Sequence, residues 1–356
     1  MTVVIAIIGF SLLVIIHELG HFSTAKLFGV KVNEFCVGLG PKLFGVKRGE
    51  TTYAVRLLPF GGACMMEGED GETDEGGKPL PPSPRSFVAQ KPWKRLIILA
   101  SGPFLNLLAG FLLIFFLTLP SQGTVTPVIA SFGDEYTETG VAGMEVGDEI
   151  LRIGGQRVYI SGDVSFLLNR YAADGVCDVV VRRNGEKIVL KDAEFSYGDY
   201  TYEGQTYTGY GLLLAVEKNS FWRSLKDSFA ASCYYVRLVR FSLVDLIGGK
   251  VGLKDMSGPV GITAAMSEVA KTNGYRTFLS LIAFISINLG IMNLLPIPAF
   301  DGGRIFFLFI EMLLSLFGWK TIPRKAEAII HGIGLLLMLG LIGIVTFNDI
   351  LRLIKG

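Results

Sequence analysis

Charge is scarce in this sequence. Its 356 residues include only 33 Lys and Arg and 32 Asp and Glu, 18% in all against 50% apolar residues. With a mean hydropathy of +0.48 the chain is too apolar for an ordinary soluble enzyme and falls in the membrane class. The formal net charge is +1, with no basic stripe and no nucleic-acid motif, so nothing supports binding to DNA or RNA. Cysteine is also scarce. Cys36, Cys64, Cys177 and Cys233 stand far apart and form no CxxC pair, which argues against a disulfide framework or a cysteine zinc site. The N-terminus lacks the basic start and small-residue cleavage site of a secretory signal, so the first apolar run is expected to be retained.

Long apolar runs are abundant. Segments 1–25, 96–120, 277–300 and 328–347 each reach the length needed to cross a bilayer. Lys and Arg crowd between the first two, from Lys26 to Arg95, and the positive-inside rule puts that connection in the cytoplasm. Both termini and the stretch between the second and third segments are then expected on the outer side. The expected fold is a polytopic α-helical membrane core of four transmembrane helices. The chain is expected to divide into residues 1–122, with the first two helices, an inserted domain at 123–216, a linking segment at 217–276, and residues 277–356, with the last two helices.

The connections differ in character. Residues 30–66 combine short alternating runs with Gly-rich breaks and read as a β-hairpin element. The acidic, Pro- and Gly-rich stretch 67–86 reads as a solvated loop. Residues 123–216 carry strand and turn signals, including an Asn184-Gly185 hairpin turn. There the pattern GxxxGDxIxxxxGxxV is matched by Gly143, Gly147, Asp148, Ile150, Gly155 and Val158. It resembles a PDZ domain, and the resemblance implies binding of extended peptide at a sheet edge. From Ser220 to Ile247, Phe221, Leu225 and Phe229 recur at helical spacing beside Trp222, Arg223 and Lys226. That pattern suits an amphipathic helix lying at a membrane interface or packed on the protein surface.

Chemistry concentrates in His17-Glu18-Leu19-Gly20-His21. Two of the chain's three histidines lie four residues apart, on one face of a helix, where both imidazoles can meet one Zn²⁺ ion. Glu18, beside the first, can act on water as general base. A pair of core histidines bonded between helices is the bland alternative, but ionisable groups at membrane depth each cost about 2.5 to 3.5 kcal/mol and need a reason to be there.

A catalytic zinc takes a third protein ligand. Asp301 is the first acid after the 24 uncharged residues 277–300, at a depth matching the two histidines; its alternative role is a helix-terminal cap before Gly302-Gly303. His331 is the competing third ligand. The carboxylate is favoured because it offsets the charge of the dication. Pro296 and Pro298 are expected to break the third span and leave irregular backbone beside the metal.

Taken together, the chain resembles the site-2 protease family of intramembrane zinc metalloproteases, in its branch with a single PDZ domain. The motifs are HELGH at 17–21, Gly102-Pro103 and Asn106, Ser257-Gly258-Pro259-Val260-Gly261-Ile262, and NxxPxPxxDG from Asn293 to Gly302. The resemblance implies that His17, His21 and Asp301 bind zinc, that Glu18 activates water, and that Asn288 and Asn293 help hold substrate, with Pro296 and Pro298 beside them. It also implies a bacterial inner-membrane enzyme that cleaves transmembrane segments of pre-trimmed proteins, anti-sigma factors and signal-peptide remnants among them, in regulated intramembrane proteolysis. Its partners would be the lipid bilayer and transmembrane substrates. The active site would lie near the cytoplasmic side and the PDZ domain outside. Ala63-Cys64-Met65 departs from the family's usual residues after Gly61-Gly62. The competing functions are a proteolytically inactive zinc-binding scaffold and an ion transporter.

Overall fold

The computed structural model describes residues 2–69, 83–136, 140–252, 256–272, 274–319 and 324–355. Most of the expected acidic loop, residues 70–82, lies outside them. The chain divides into two compact units, residues 1–113 with 238–356, and residues 114–237.

In the first unit, helix α1 (Thr2–Leu27) leads into strands β1 (Val32–Arg48) and β2 (Thr51–Met66), and α2 (Pro92–Thr118) follows. The β1–β2 element matches the expected hairpin and is folded back on itself. Phe35, Cys36 and Val37 face Cys64, Ala63 and Gly62 on one side and Tyr53, Ala54 and Val55 on the other, while Gly45–Arg48 pairs with Thr51–Ala54. Its base is fixed by burial of Val30, Val32, Cys64 and Met66 with Ala25 of α1 and Ile98 and Leu99 of α2. Its outer half exposes Leu43, Phe44, Val46, Val55 and Leu57, an apolar surface out of place in water.

Helices α5 (Pro259–Thr272), α6 (Gly274–Leu294), α7 (Asp301–Leu316) and α8 (Arg324–Lys355) complete this unit. Ala6 and Leu13 of α1 pack with Met266 of α5 and with Phe278, Ile282 and Ile285 of α6. The Ser-Gly-Pro-Val-Gly-Ile motif is explained by a cap supplied from a distance. Buried Asp349 of α8 accepts hydrogen bonds from the backbone N–H of Gly258 (2.9 Å) and Gly261 (2.8 Å) at the start of α5.

The third apolar segment ends sooner than its hydropathy implies. Helix α6 stops at Leu294 rather than running to 300, and α7 starts at Asp301, a helix not anticipated from sequence. Pro296 and Pro298 supply the break, since each lacks an N–H and disfavours helical geometry in the residue before it. Among the described residues four helices are long and apolar enough to cross a membrane: Val4–Leu27, Pro92–Thr118, Gly274–Leu294 and Ala326–Arg352. On the last, Ile333, Leu336, Leu337, Ile344 and Phe347 are exposed, as a lipid-facing helix requires.

In the second unit the strands are β3 (Gly123–Phe132), β4 (Glu149–Ile153), β5 (Gln156–Arg157), β6 (Val176–Arg183), β7 (Glu186–Glu194), β8 (Gly198–Tyr202), β9 (Gln205–Gly209) and β10 (Leu212–Lys218). One sheet runs β10-β3-β4-β6-β7 with β5 paired to β4, and β8 and β9 form a separate ribbon. Asn184 (φ 50°) and Gly185 (φ 87°) turn β6 into β7 where both central residues must be left-handed, the turn read from sequence. The acid of the Gly-Asp pair is structural. Asp148 is buried, accepts the Glu145 N–H at 2.9 Å, and pairs with Arg183 at 2.8 Å.

Helix α3 (Ser161–Tyr171) covers the sheet with Val164, Leu167 and Leu168. Helix α4 (Phe221–Ile247) buries Ser224 and Ser228 and exposes Phe221, Trp222 and Phe229, so it is amphipathic with an apolar outer face. Its Arg237 forms a buried ion pair with Asp163 at 2.5 Å.

Candidate metal centre

The site is assembled by the close approach of α1 and α2 and by the loop before α7. On α1, His17 and His21 lie one turn apart and bring their Nε2 atoms to 3.2 Å. Asp301 Oδ2 lies 3.1 Å from Nε2 of His17 and 3.4 Å from Nε2 of His21. The His21 ring is oriented by its Nδ1–H, which donates to the Ile98 carbonyl of α2 at 2.8 Å and leaves Nε2 with a lone pair. At His17, Nδ1 has the side-chain amides of Asn106 (3.4 Å) and Asn293 (3.5 Å) beside it. Its N–H finds an acceptor when Asn106 presents Oδ1, an oxygen otherwise buried without a partner.

Small residues permit this packing. A Cβ on Gly20 would stand 2.4 Å from the Ser101 carbonyl oxygen, and one on Gly102 would stand 2.3 Å from His21 Nε2. Thr24 Oγ1 and Ser101 Oγ then meet at 2.9 Å across the same seam.

The donor set fits a zinc ion. Asp301 Oδ2 is buried and makes no hydrogen bond, although two ring nitrogens lie beside it. Three acceptor lone pairs facing one another at 3.1 to 3.4 Å repel unless a cation lies among them. Tetrahedral zinc with bonds of about 2.0 to 2.1 Å places its ligands about 3.3 Å apart, which matches the observed separations. Asp301 is not the cap of α7, because Phe300 holds that position without a side-chain bond.

Glu18 shares with His17, His21 and Asp301 a cavity of about 570 Å³. Ala63, Cys64 and Met65 of β2 line it too, and β2 passes so close that a Cβ on Gly62 would come 3.1 Å from Glu18 Cγ. Asn293 reaches the centre through His17, whereas Asn288, Pro296 and Pro298 are not among the cavity's lining residues. His331 stands apart. Its Nδ1 accepts the Ala299 N–H at 3.2 Å, and it lines a neighbouring cavity of about 380 Å³ with Arg95 and Glu327. The orienting contacts of Asn106 and Ile98 go beyond what sequence reading assigned; a lone Asn in an apolar span was a usable signal, whereas a backbone carbonyl gives none.

A helix-borne HExxH with a converging carboxylate, in a chain whose described residues include four bilayer-length helices, defines the class of membrane metallopeptidases. The sequence model of peptidase family M50 matches residues 5–341, and the chain belongs to that family, the site-2 proteases. It is 35% identical over 352 residues to a Clostridium perfringens protein assigned by name to the zinc metalloproteases, covering 99% of each chain. It is 30% identical over 418 residues to the zinc metalloprotease RasP of Geobacillus kaustophilus, covering 97% of this chain and 96% of that one. It is 29% identical over 427 residues to the regulator of sigma-W protease RasP of Bacillus subtilis, covering 99% of each. The protein is therefore a polytopic membrane protein and a zinc metalloprotease of the site-2 type.

Proposed function

We propose that this protease hydrolyses peptide bonds within transmembrane segments, with His17, His21 and Asp301 as zinc ligands and Glu18 as general base. The observation that carries the reading is the convergence of His17 Nε2, His21 Nε2 and Asp301 Oδ2 within 3.4 Å of one another, with the half-buried Glu18 carboxylate next to His17 on α1. Zinc bound there supplies a Lewis acid and lowers the pKa of adjacent water. Glu18 takes the proton of the attacking water as its oxygen bonds to the scissile carbonyl carbon. It then delivers that proton to the amide nitrogen as the C–N bond breaks, so the products are an amine and a carboxylic acid, which passes its proton on to the amine or to solvent, and no acyl-enzyme forms.

A transmembrane helix shields its carbonyls by internal hydrogen bonds, so a local stretch must unwind and find other partners before water attacks. Strand β2, at Ala63–Met65 along the cavity, offers backbone for pairing, and Asn293 offers an amide, with Asn288 further up the same helix. Pro296 and Pro298 keep the chain after that helix irregular. The substrates are membrane proteins already shortened outside the bilayer, anti-sigma factors and signal-peptide remnants. The printed name of the Bacillus subtilis relative supports the first class. The 123–216 region acts as a PDZ domain, receiving extended peptide on β10, one of the two edge strands of its sheet. The basic connection 26–95 supports a catalytic site near the cytoplasmic side of a bacterial inner membrane, with this region outside.

Glu18→Gln separates chemistry from metal binding. The variant is expected to keep stoichiometric zinc in detergent and to lose cleavage of a model transmembrane substrate by several orders of magnitude. Substantial cleavage by purified Glu18→Gln protein would refute the assignment of the base.

A further inference from the structure

The loop that delivers Asp301 is strained and is seated on α8. Six residues, 295–300, carry the chain from α6 to α7, and Ala299 takes φ +88°, a left-handed conformation that an L side chain rarely adopts. Phe300, the N-cap of α7, contributes no side-chain bond, so no capping side chain holds the turn. What does hold Ala299 is His331, whose Nδ1 accepts its N–H at 3.2 Å.

The seat extends beyond that bond. The His331 ring lies 5.5 Å from the Phe307 ring of α7, and a Cβ on Gly303 would come 3.2 Å from its Cε1. One turn further along α8, a Cβ on Gly334 would stand 2.5 Å from Pro298 Cβ. His331 and Gly334 thus form one face of α8 shaped to the loop, with an acceptor at the strained residue and a gap for the proline before it.

We infer that His331 is a positioning residue for the metal centre: by accepting the Ala299 N–H it fixes the left-handed turn that carries Asp301, two residues on, to His17 and His21. The inference rests on Asp301 being a zinc ligand. Metal sites tolerate only about 0.2 Å of error in ligand distance, and relaxing Ala299 to negative φ would redirect the chain just before the carboxylate by far more. Residues that orient ligands in this way typically influence metal affinity by about 10- to 100-fold.

Three substitutions in the full-length protein divide the roles of the side chain. His331→Ala removes ring and acceptor, His331→Phe keeps a ring without an acceptor, and His331→Asn keeps an acceptor oxygen near the place of Nδ1. The readouts are the rate at which a chelator strips zinc and the visible absorption spectrum of the Co²⁺-substituted protein. Zinc loss should accelerate about 10- to 100-fold in the Ala and Phe variants, with altered Co²⁺ bands, and return close to the parent rate in the Asn variant. Parent-like zinc retention and Co²⁺ spectrum in His331→Phe would overturn the inference and reduce His331 to packing, even if His331→Ala fails to fold. Asp301→Asn run in parallel keeps the two readings apart. Weak zinc binding in Asp301→Asn with parent behaviour in the His331 variants sinks only the positioning role. Full zinc retention in Asp301→Asn with loss in all three His331 variants would overturn the ligand assignment as well.

Discussion

Substituting Gly102 by Ala tests the seam on which the metal centre depends. The added Cβ would lie 2.3 Å from Nε2, 2.7 Å from Cε1 and 2.9 Å from Cδ2 of His21. Ordinary contact begins near 3.4 Å, so the imidazole and the helix face must part by about 1 Å, five times the tolerance of a zinc bond. The ring cannot turn aside without giving up its bond to the Ile98 carbonyl, and α1 cannot recede without parting Thr24 from Ser101. Overpacking of this kind costs about 1 to 3 kcal/mol. If the cost falls on the liganding geometry, zinc affinity drops by about 5- to 150-fold. Helix propensity acts in the opposite direction, because Ala is favoured over Gly by about 1 kcal/mol in a helix interior. The signature is therefore weakened zinc binding and lost cleavage without a matching loss of thermal stability in the metal-stripped protein. Zinc content, chelator competition and thermal unfolding in detergent provide the measurements, with Gly332→Ala as control, since a Cβ there meets nothing within 4 Å. Parent zinc affinity and full cleavage in Gly102→Ala would refute the proposed seam.

Asp349→Ala removes the acceptor for two N–H groups at the start of α5 and should destabilise the first unit by about 2 kcal/mol, with faster hydrogen exchange in Pro259–Thr272 and unchanged zinc stoichiometry; unaltered exchange there would disprove the cap. Burial pushes the Asp148 carboxyl up, but the Arg183 guanidinium and the Glu145 N–H outweigh it and hold the group below its ordinary 3.8. A lowered folded-state pKa means that this stabilisation is present above pH 3.8 and lost as pH falls through the lowered value. Arg183→Ala should leave Asp148 buried without its cation, cost about 3 to 5 kcal/mol, and raise the pH at which the β3–β10 region loses hydrogen-exchange protection; an unchanged acid midpoint would contradict the pairing.

The parts of this site legible in the sequence are those with short-range periodicity or an unusual residue in an unusual place. His17 and His21 could be paired because the helical repeat sets their spacing, and Asp301 stood out as an acid at the end of an uncharged run. The β-element was readable from its alternation, and Asn184-Gly185 from the backbone geometry that only such a pair adopts easily. The end of α6 was misplaced by six residues because hydropathy continues through Leu295, Ile297 and Phe300 after the helix has stopped. Pro296 and Pro298, read from sequence as a break in this span, mark where the irregular chain lies, and hydropathy alone extends the span past it. Helix α7 was missed for the complementary reason: after Asp301-Gly302-Gly303 its residues resemble the tail of a span, and only the partners of Ile305, Leu308 and Met312 in the core around α2 and β2 make it a separate packed element.

What the sequence could not disclose is how the ligands are aimed. The Ile98 carbonyl fixes the tautomer of His21, and a carbonyl is present at every position of the chain. Gly20 and Gly102 matter because of what faces them across the α1–α2 seam, which spacing within either helix does not specify. The same holds for His331. Its sequence position near the start of the last span makes it a plausible rival to Asp301, and both side chains are tied to one loop. Asp301 leaves that loop toward His17 and His21, whereas His331 accepts from its backbone at Ala299. A sequence can identify both as polar groups near one depth. Only the sharp turn enforced by Pro296, Pro298 and the left-handed Ala299 directs one toward the metal centre and leaves the other behind the loop.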